Sequence, residues 1–224
     1  MIHVDILTSV RNGESYILEA IQSVQKQTFS DWTYFIVDDG STDNTKSIVE
    51  KQALNDHRIH FSSQAANGAS SALNKVMKLG SGKFISFIDA DDLWHPSKLK
   101  KQIEVFEKDA ALNFCFTMVE EFDESKNLEF HSYRARKEAL RGYIRSSLLF
   151  KRKMIESVGY FDEEIAMGDF IDWLSEPIHR KENLFVLEDV LTYRRVHGNN
   201  MTAFGDKQGY LKILKKHLDR KKEL

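Results

Sequence analysis

A single cysteine, Cys115, stands among the 224 residues, so no disulfide can close within the chain, which fits a reducing compartment. It lies inside the apolar run NFCFTMV (113–119), where a free thiol is ordinarily a buried structural group and not a nucleophile. No apolar stretch approaches the ~20 residues that cross a bilayer. The N-terminus enters a strand-like pattern at once, leaving no room for a secretory leader. The expectation is a cytoplasmic protein without a transmembrane segment. Excess charge of one sign is also missing: the formal net charge is -2, which disfavours nucleic-acid binding by bulk electrostatics. There is no P-loop, no G-x-G-x-x-G after the first strand, and the eight histidines never form H-x-H or H-E-x-x-H. Nor is there a repeat, a low-complexity tract or a linker. One domain with a proper core is what this length allows.

With 42% hydrophobic and 29% charged residues, the composition is that of an ordinary globular domain. Strand-like and helix-like segments alternate through the first half. HVDILTSV (3–10), TYFIVDD (33–39), RIHFSS (58–63) and FISFID (84–89) read as strands. Between them SYILEAIQSVQKQ (15–27) carries a helical stripe at Ile17, Leu18, Ile21 and Val24. A second helix begins near Thr42 and a third runs from Ser70 to Leu79. Pro96 then opens a helix at its first turn, where the missing N–H costs nothing. Such alternation predicts an α/β fold, a mostly parallel sheet with helices on both faces.

The second half is less regular. NFCFTMVEEF (113–122) reads as a strand and RSSLLFKRKMIESVG (145–159) as a strand running into a helix. GDFIDWLSEPIHRK (168–181) reads as a helix that Pro177 kinks or shortens. LFVLEDVLTYRRVH (184–197) looks like two short strands around Glu188 and Asp189. The tail (206–224) reads as a basic amphipathic helix, apolar through Leu211, Ile213, Leu214 and Leu218. Its lysines either face water or rest weakly on an anionic membrane surface, and the solvated face is the plainer of the two. The domain proper is taken as 1–205, with a ligand-binding half at 1–110 and a second half at 111–205.

In open parallel sheets, ligands gather beyond the carboxyl ends of the strands. There the sequence places Thr8, the pair Asp38-Asp39 and the cluster Asp89, Asp91 and Asp92. After the pair, Ser41, Thr42 or Asp43 can cap the next helix, but capping does not require two carboxylates before Gly40. An ionised carboxylate at that position could accept a hydrogen bond from a ring N–H of a base. In FISFIDADDLW (84–94) an apolar run delivers three aspartates within four residues. Carboxylates clustered at a buried strand end repel one another and lose hydration. The compensating charge is a bound cation or an arginine or lysine from elsewhere, unless water alone suffices. A solvated acidic loop, with Asp92 favouring a helix N-terminus, is the plain alternative. Two carboxylates spaced one apart also suit an octahedral Mg²⁺ or Mn²⁺ shared with phosphate oxygens. The second aspartate pair at a neighbouring strand end favours that reading: a divalent cation carrying a nucleoside diphosphate. A receiver-type phospho-acceptor site would need a lysine at a later strand end and a much shorter chain.

Seven segments together resemble the family 2 glycosyltransferases with the GT-A fold, and they stand in that family's order. They are VDILTSVRNGESYILEAIQSVQKQT (4–28), FIVDDGSTDNT (35–45), NGASSALN (67–74), GSGKFISFIDADDLWHP (80–96), VGYFDEEI (158–165), GDFIDWL (168–174) and YRRVHGNNMT (193–202). The resemblance covers most of the chain. It implies an inverting enzyme that moves a sugar from a nucleotide diphosphate donor, most often UDP, to an acceptor hydroxyl with the help of Mn²⁺ or Mg²⁺. The acceptor would be a glycan, a lipid-linked sugar or a small molecule. Position by position, it implies that Asp39 contacts the base, that Thr8, Ser9 and Gly68 line the nucleotide pocket, and that Asp89 holds the ribose. Asp91 takes the metal, with Asp92 as the alternative register, His197 meets the metal or the diphosphate, and Asp169 is the general base. Asp172 is expected on the helix surface, Trp173 in the core, and Trp94 in the core or at the cleft wall. Three departures stand out. Gly168 replaces a Glu, Leu73 replaces an Arg, and YRRVH carries an additional Arg, so Arg194 or Arg195 is expected to supply the lost charge. Those departures keep open a catalytically impaired nucleotide-sugar-binding subunit, and a regulatory phosphate-binding domain is the third reading.

Overall fold

The computed structural model describes residues 2–123, 142–165 and 167–197; the expected tail helix (206–224) lies outside them. The first half alternates as expected: β1 (Val4–Val10), α1 (Ile17–Gln25), β2 (Trp32–Asp38), α2 (Thr45–Asn55), β3 (Ile59–Ser63), α3 (Ala69–Leu79) and β4 (Phe84–Phe87). It continues through β5 (Leu93–Trp94), α4 (Lys98–Lys108) and β6 (Phe114–Asp123). After a 3₁₀ turn at Arg145–Ser147 come β7 (Leu149–Lys151), α5 (Ile155–Val158), α6 (Asp169–His179) and β8 (Leu184–Val196). The described strands form one sheet in the order β3-β2-β1-β4-β7-β6-β8-β5. The pairs β1–β2, β1–β4, β2–β3 and β6–β8 are parallel. β7 runs antiparallel to β4 and β6, and β5 antiparallel to β8.

Alternate residues of a strand point to opposite faces, and the core divides accordingly. Val4, Ile6 and Val10 of β1 pack with Ile17, Ile21 and Val24 of α1 and with Leu99, Ile103 and Phe106 of α4. Leu7 turns to the other face, with Ala72, Leu73, Val76 and Met77 of α3 and with Phe170, Trp173 and Leu174 of α6. Burying each large apolar side chain contributes about 1.5–3 kcal/mol, so both faces are driven to collect helices. Leu18 does not share in this. It is 37% exposed, because one residue is about 100° of helix rotation and turns it off the face of Ile17 and Ile21.

The 184–197 segment is one strand, not two. Its irregularity falls where the break was expected: the register against β6 shifts between Thr117 and Val119 and passes over Glu188 and Asp189. A bulge absorbs the extra residues and lets the strand continue. α2 starts at Thr45 with Asn44, and not a residue of 41–43, at its N-cap position; Asp43 Oδ1 accepts from Thr45 N at 3.0 Å and from its hydroxyl at 2.5 Å just before the helix. Pro96 precedes α4 instead of opening it; its carbonyl accepts from Thr28 N at 2.8 Å. Pro177 is inside α6, which ends at His179. Cys115 is buried, and burial pushes its thiol up to about 12. Among the described residues no helix is long and apolar enough to cross a membrane.

Candidate active site

The parallel strands β1, β2 and β4 end on the same side of the sheet, and short bonds lock their ends together. Asp39 N donates to Val10 O at 2.8 Å. Asp39 is 4% exposed. Its Oδ1 accepts from Gln64 Nε2 at 3.0 Å and Asn67 N at 2.8 Å, and its Oδ2 from Gly68 N at 2.9 Å. Gly68 has φ +95°, a backbone setting that suits glycine, and its amide turns onto Asp39. An ionised carboxylate offers about four acceptor positions, so Asp39 keeps capacity for a further donor. Asp38 is spent differently: both its oxygens accept from Ser41 N, at 3.2 and 3.3 Å, closing the turn at Gly40.

Thr8 departs from expectation. It is 1% exposed, donates to Ile88 O at 2.6 Å and pairs with Tyr34 Oη at 2.9 Å. It therefore fastens β1 to the end of β4 beneath the site and does not line a pocket, whereas Ser9 beside it is half-buried.

The three aspartates after β4 diverge. The Asp89 side chain is 45% exposed, and its backbone N–H donates to Ser146 Oγ at 3.0 Å. Asp91 Oδ2 lies 3.0 Å from Nε2 of His197, which follows β8, and Tyr16 packs on that imidazole with ring centroids 4.6 Å apart. Asp92 turns inward at 3% exposure, with Oδ2 accepting from Ser146 Oγ at 2.5 Å and Oδ1 from Arg195 N at 3.2 Å. Burial first, then the charges of Asp91 and Asp89, push its pKa well above the usual carboxylate range. Both oxygens of Asp92 are thus engaged inside the fold, and Asp91 is the partner that meets His197.

From the other side comes α6. Gly168 sits before its first residue with φ 83°, so the glycine in place of Glu answers a left-handed backbone. Asp169 follows in the first turn, 6% exposed. Its Oδ2 accepts from Ser70 Oγ of α3 at 2.8 Å, and Arg145 Nη2 reaches its two oxygens at 3.0 and 3.3 Å. Nε of the same guanidinium is 3.8 Å from Asp89 Oδ1. Burial alone would lower the pKa of Arg145, but Asp89 and Asp169 outweigh it and hold the group charged.

Arg194 and Arg195, the arginines expected to supply the charge lost at Leu73, are each paired with a glutamate. Arg194 pairs with Glu121 at 2.8 Å, and Arg195 pairs with Glu19 at 2.7 Å and donates to Asp91 O at 3.0 Å. Leu73 itself is core, 1% exposed. Arg145, Ser70 and Ser146 went unread in the sequence, where the triplet RSS merely precedes an apolar strand. Asp172 is buried at 4%, not on the helix surface, while Trp173 and Trp94 are core at 3% and 0%.

A divalent hard cation typically takes one or two carboxylates plus phosphate oxygens. Asp91 with His197 in contact offers a carboxylate and an imidazole, a donor set that fits such an ion shared with a diphosphate. Among the described residues no group of three or more His, Cys, Asp or Glu is gathered for a metal.

The model of the family described as Glycosyl transferase family 2 matches residues 5–161. The chain belongs to this family. Among its relatives, the putative teichuronic acid biosynthesis glycosyltransferase TuaG of Bacillus subtilis is 37% identical over 113 residues, 50% of this chain and 45% of that protein. An uncharacterized glycosyltransferase of Methanocaldococcus jannaschii is 26% identical over 230 residues, covering 97% of this chain and 79% of its own. The match thus spans about half of TuaG and more of the archaeal protein. The fold is that of S. aureus TarS, solved with UDP: TM-score 0.71 at 21% identity, over 87% of this chain and 61% of that one. It is shared with the mannosyltransferase PcManGT of Pyrobaculum calidifontis, solved with GDP-Man and Mn²⁺, at TM-score 0.71 and 16% identity, over 90% of this chain and 59% of that one. These likenesses establish a GT-A family 2 fold.

Proposed function

We propose that the protein transfers a sugar from a nucleoside diphosphate donor, UDP-linked, to an acceptor hydroxyl, with inversion in a single displacement. The observation that carries this reading is a convergence. Asp169, from the start of α6, meets the strand-end Asp89 across one guanidinium, while Asp91 and His197 stand together beside them. The 1–110 half would hold the donor and the remainder would supply the base.

Asp39 has acceptor capacity for a ring N–H of the base, on a loop whose Asn67 and Gly68 amides it already orders. Asp89, half exposed at the end of β4, is the acceptor for ribose hydroxyls. Asp91 and His197 would hold Mn²⁺ or Mg²⁺, which when bound offsets charge on the departing diphosphate. Asp169 is the general base. Ser70 and Arg145 fix its oxygens. As the acceptor oxygen attacks the anomeric carbon, its proton passes to Asp169 and the bond to the diphosphate breaks on the opposite side. No covalent intermediate on the protein is needed, so no nucleophilic side chain is sought.

TarS has been solved with UDP-GlcNAc as well as UDP, and PcManGT with a GDP-sugar and Mn²⁺, which supports a nucleotide-sugar donor and a divalent ion. The test is release of UDP from a panel of UDP-sugars with Mn²⁺ and a hydroxyl acceptor. Wild type should turn over at least one donor and Asp169→Asn should not. A wild-type protein that binds UDP-sugar yet transfers nothing to any acceptor would favour the impaired-subunit reading.

A further inference from the structure

Asp89 and Asp169 approach each other from different elements, with Asp92 behind them, and carboxylates so placed need a cation between them. Arg145 is that cation. Its Nη2 spans both oxygens of Asp169, its Nε stands 3.8 Å from Asp89, and its Cζ lies 5.5 Å from the Phe161 ring centroid. The side chain is 15% exposed, and among the described residues its Nε has no hydrogen-bond partner. The turn that carries it is anchored independently. Ser146 Oγ donates to Asp92 and accepts from Asp89 N, while the Ser146 and Ser147 carbonyls accept from Trp94 Nε1 at 2.8 Å and Gln102 Nε2 at 3.0 Å. The guanidinium is therefore held by the framework as well as by the carboxylates it touches.

We propose that Arg145 is the positioning residue of the reaction centre: it fixes the Asp169 carboxylate against Ser70 and sets a permanent positive charge between the base and Asp89. Its effect on catalysis rests on the transferase reading above, whereas the charge itself is measurable without turnover. A fixed guanidinium at this place attracts a diphosphate and repels a divalent cation. Removing its charge should shift those two affinities in opposite directions, whereas losing a merely structural prop should lower both.

The experiment compares wild type with Arg145→Gln and Arg145→Lys. Mn²⁺ alone is titrated by electron paramagnetic resonance, UDP alone by calorimetry without metal, and UDP-sugar turnover is followed separately. In Arg145→Gln, UDP should bind roughly tenfold more weakly and Mn²⁺ several-fold more tightly, the scale of one charge at close range. Its kcat should fall about ten- to hundredfold, at unchanged acceptor KM, because the base loses its orientation. Arg145→Lys should hold both affinities within about twofold and recover only part of kcat, since one ammonium nitrogen cannot occupy both the Nη2 position on Asp169 and the Nε position facing Asp89. A parallel fall in both affinities, or no change in either, overturns the proposal. Should Arg145→Gln not fold, loss of both affinities in Arg145→Lys overturns it equally. Opposite shifts in binding alongside a wild type that transfers no sugar would leave the charge assignment standing and sink the transferase reading instead.

Discussion

Asp169 and Asp172 both start α6 and both are buried, so position alone does not say which is the base. Contacts do discriminate: Asp169 is the one held by Ser70 and Arg145, within the same network as Asp89. Asp169→Asn should cut kcat by ~10²–10⁴, the usual worth of a positioned acid–base group, while UDP-sugar affinity hardly changes. Asp172→Asn should leave kcat near wild type; a dead Asp172→Asn beside an active Asp169→Asn would transfer the role. Asp39→Asn tests the nucleotide pocket. Replacing the charged acceptor of the Asn67 and Gly68 amides should weaken UDP by roughly 1.5–3 kcal/mol, about ten- to hundredfold, with Mn²⁺ binding intact. An unchanged dissociation constant for UDP would remove Asp39 from that pocket. At this scale the sequence was legible where a side chain's role follows from its motif, and opaque where it follows from a distant partner. Asp89 and Asp91 could be picked out from their spacing after an apolar run. Arg145 could not, because its partners lie far along the chain on two other elements and no periodicity records such a meeting. Thr8 and Asp172 show the converse: a polar residue at an element's end reads as accessible until packing buries it.

Elements were legible in proportion to their regularity. β1, β2, β4 and α1 announce themselves by apolar, β-branched runs or by a helical stripe, because burial selects those patterns. β8 was read as two strands, since Glu188 and Asp189 interrupt its apolar pattern, yet the ladder to β6 passes over them with a register shift. The two-residue β5 is too short to carry any pattern. Gly168 is an instance where the element explains the residue. Its φ of 83° lies where a Cβ costs about 1–2 kcal/mol, so Gly168→Ala should lower the unfolding free energy by about that much. It should also reduce kcat by displacing Asp169, with UDP-sugar affinity unchanged. Chemical denaturation and single-turnover kinetics check both halves. A variant as stable as wild type would mean that the start of α6 does not need this turn.

For the molecule as a whole, the groups proposed to hold the donor lie at the ends of strands whose opposite faces carry the two core layers, so ligand bound there should stabilise the entire sheet. A ligand at ~100 times its dissociation constant adds about 2.7 kcal/mol to folding stability. For a chain of this size each kcal/mol raises Tm by roughly 2–4 °C, so a matched UDP-sugar with Mn²⁺ should raise Tm by roughly 5–11 °C. Omitting Mn²⁺ should remove much of that rise, since the carboxylate of Asp91 and the imidazole of His197 would then face the diphosphate without a bridging charge. Asp91→Asn should behave as wild type does without metal, because the amide keeps the shape and loses the charge that holds the ion. Asp169→Asn should keep the full metal-dependent shift, since the base proposed there serves the acceptor and not the donor. If Asp91→Asn instead shows an undiminished Mn²⁺-dependent shift, the metal is held elsewhere. Asp91 and His197 would then be only a hydrogen-bonded pair at the cleft edge, and the donor site would have to be rebuilt around Asp89.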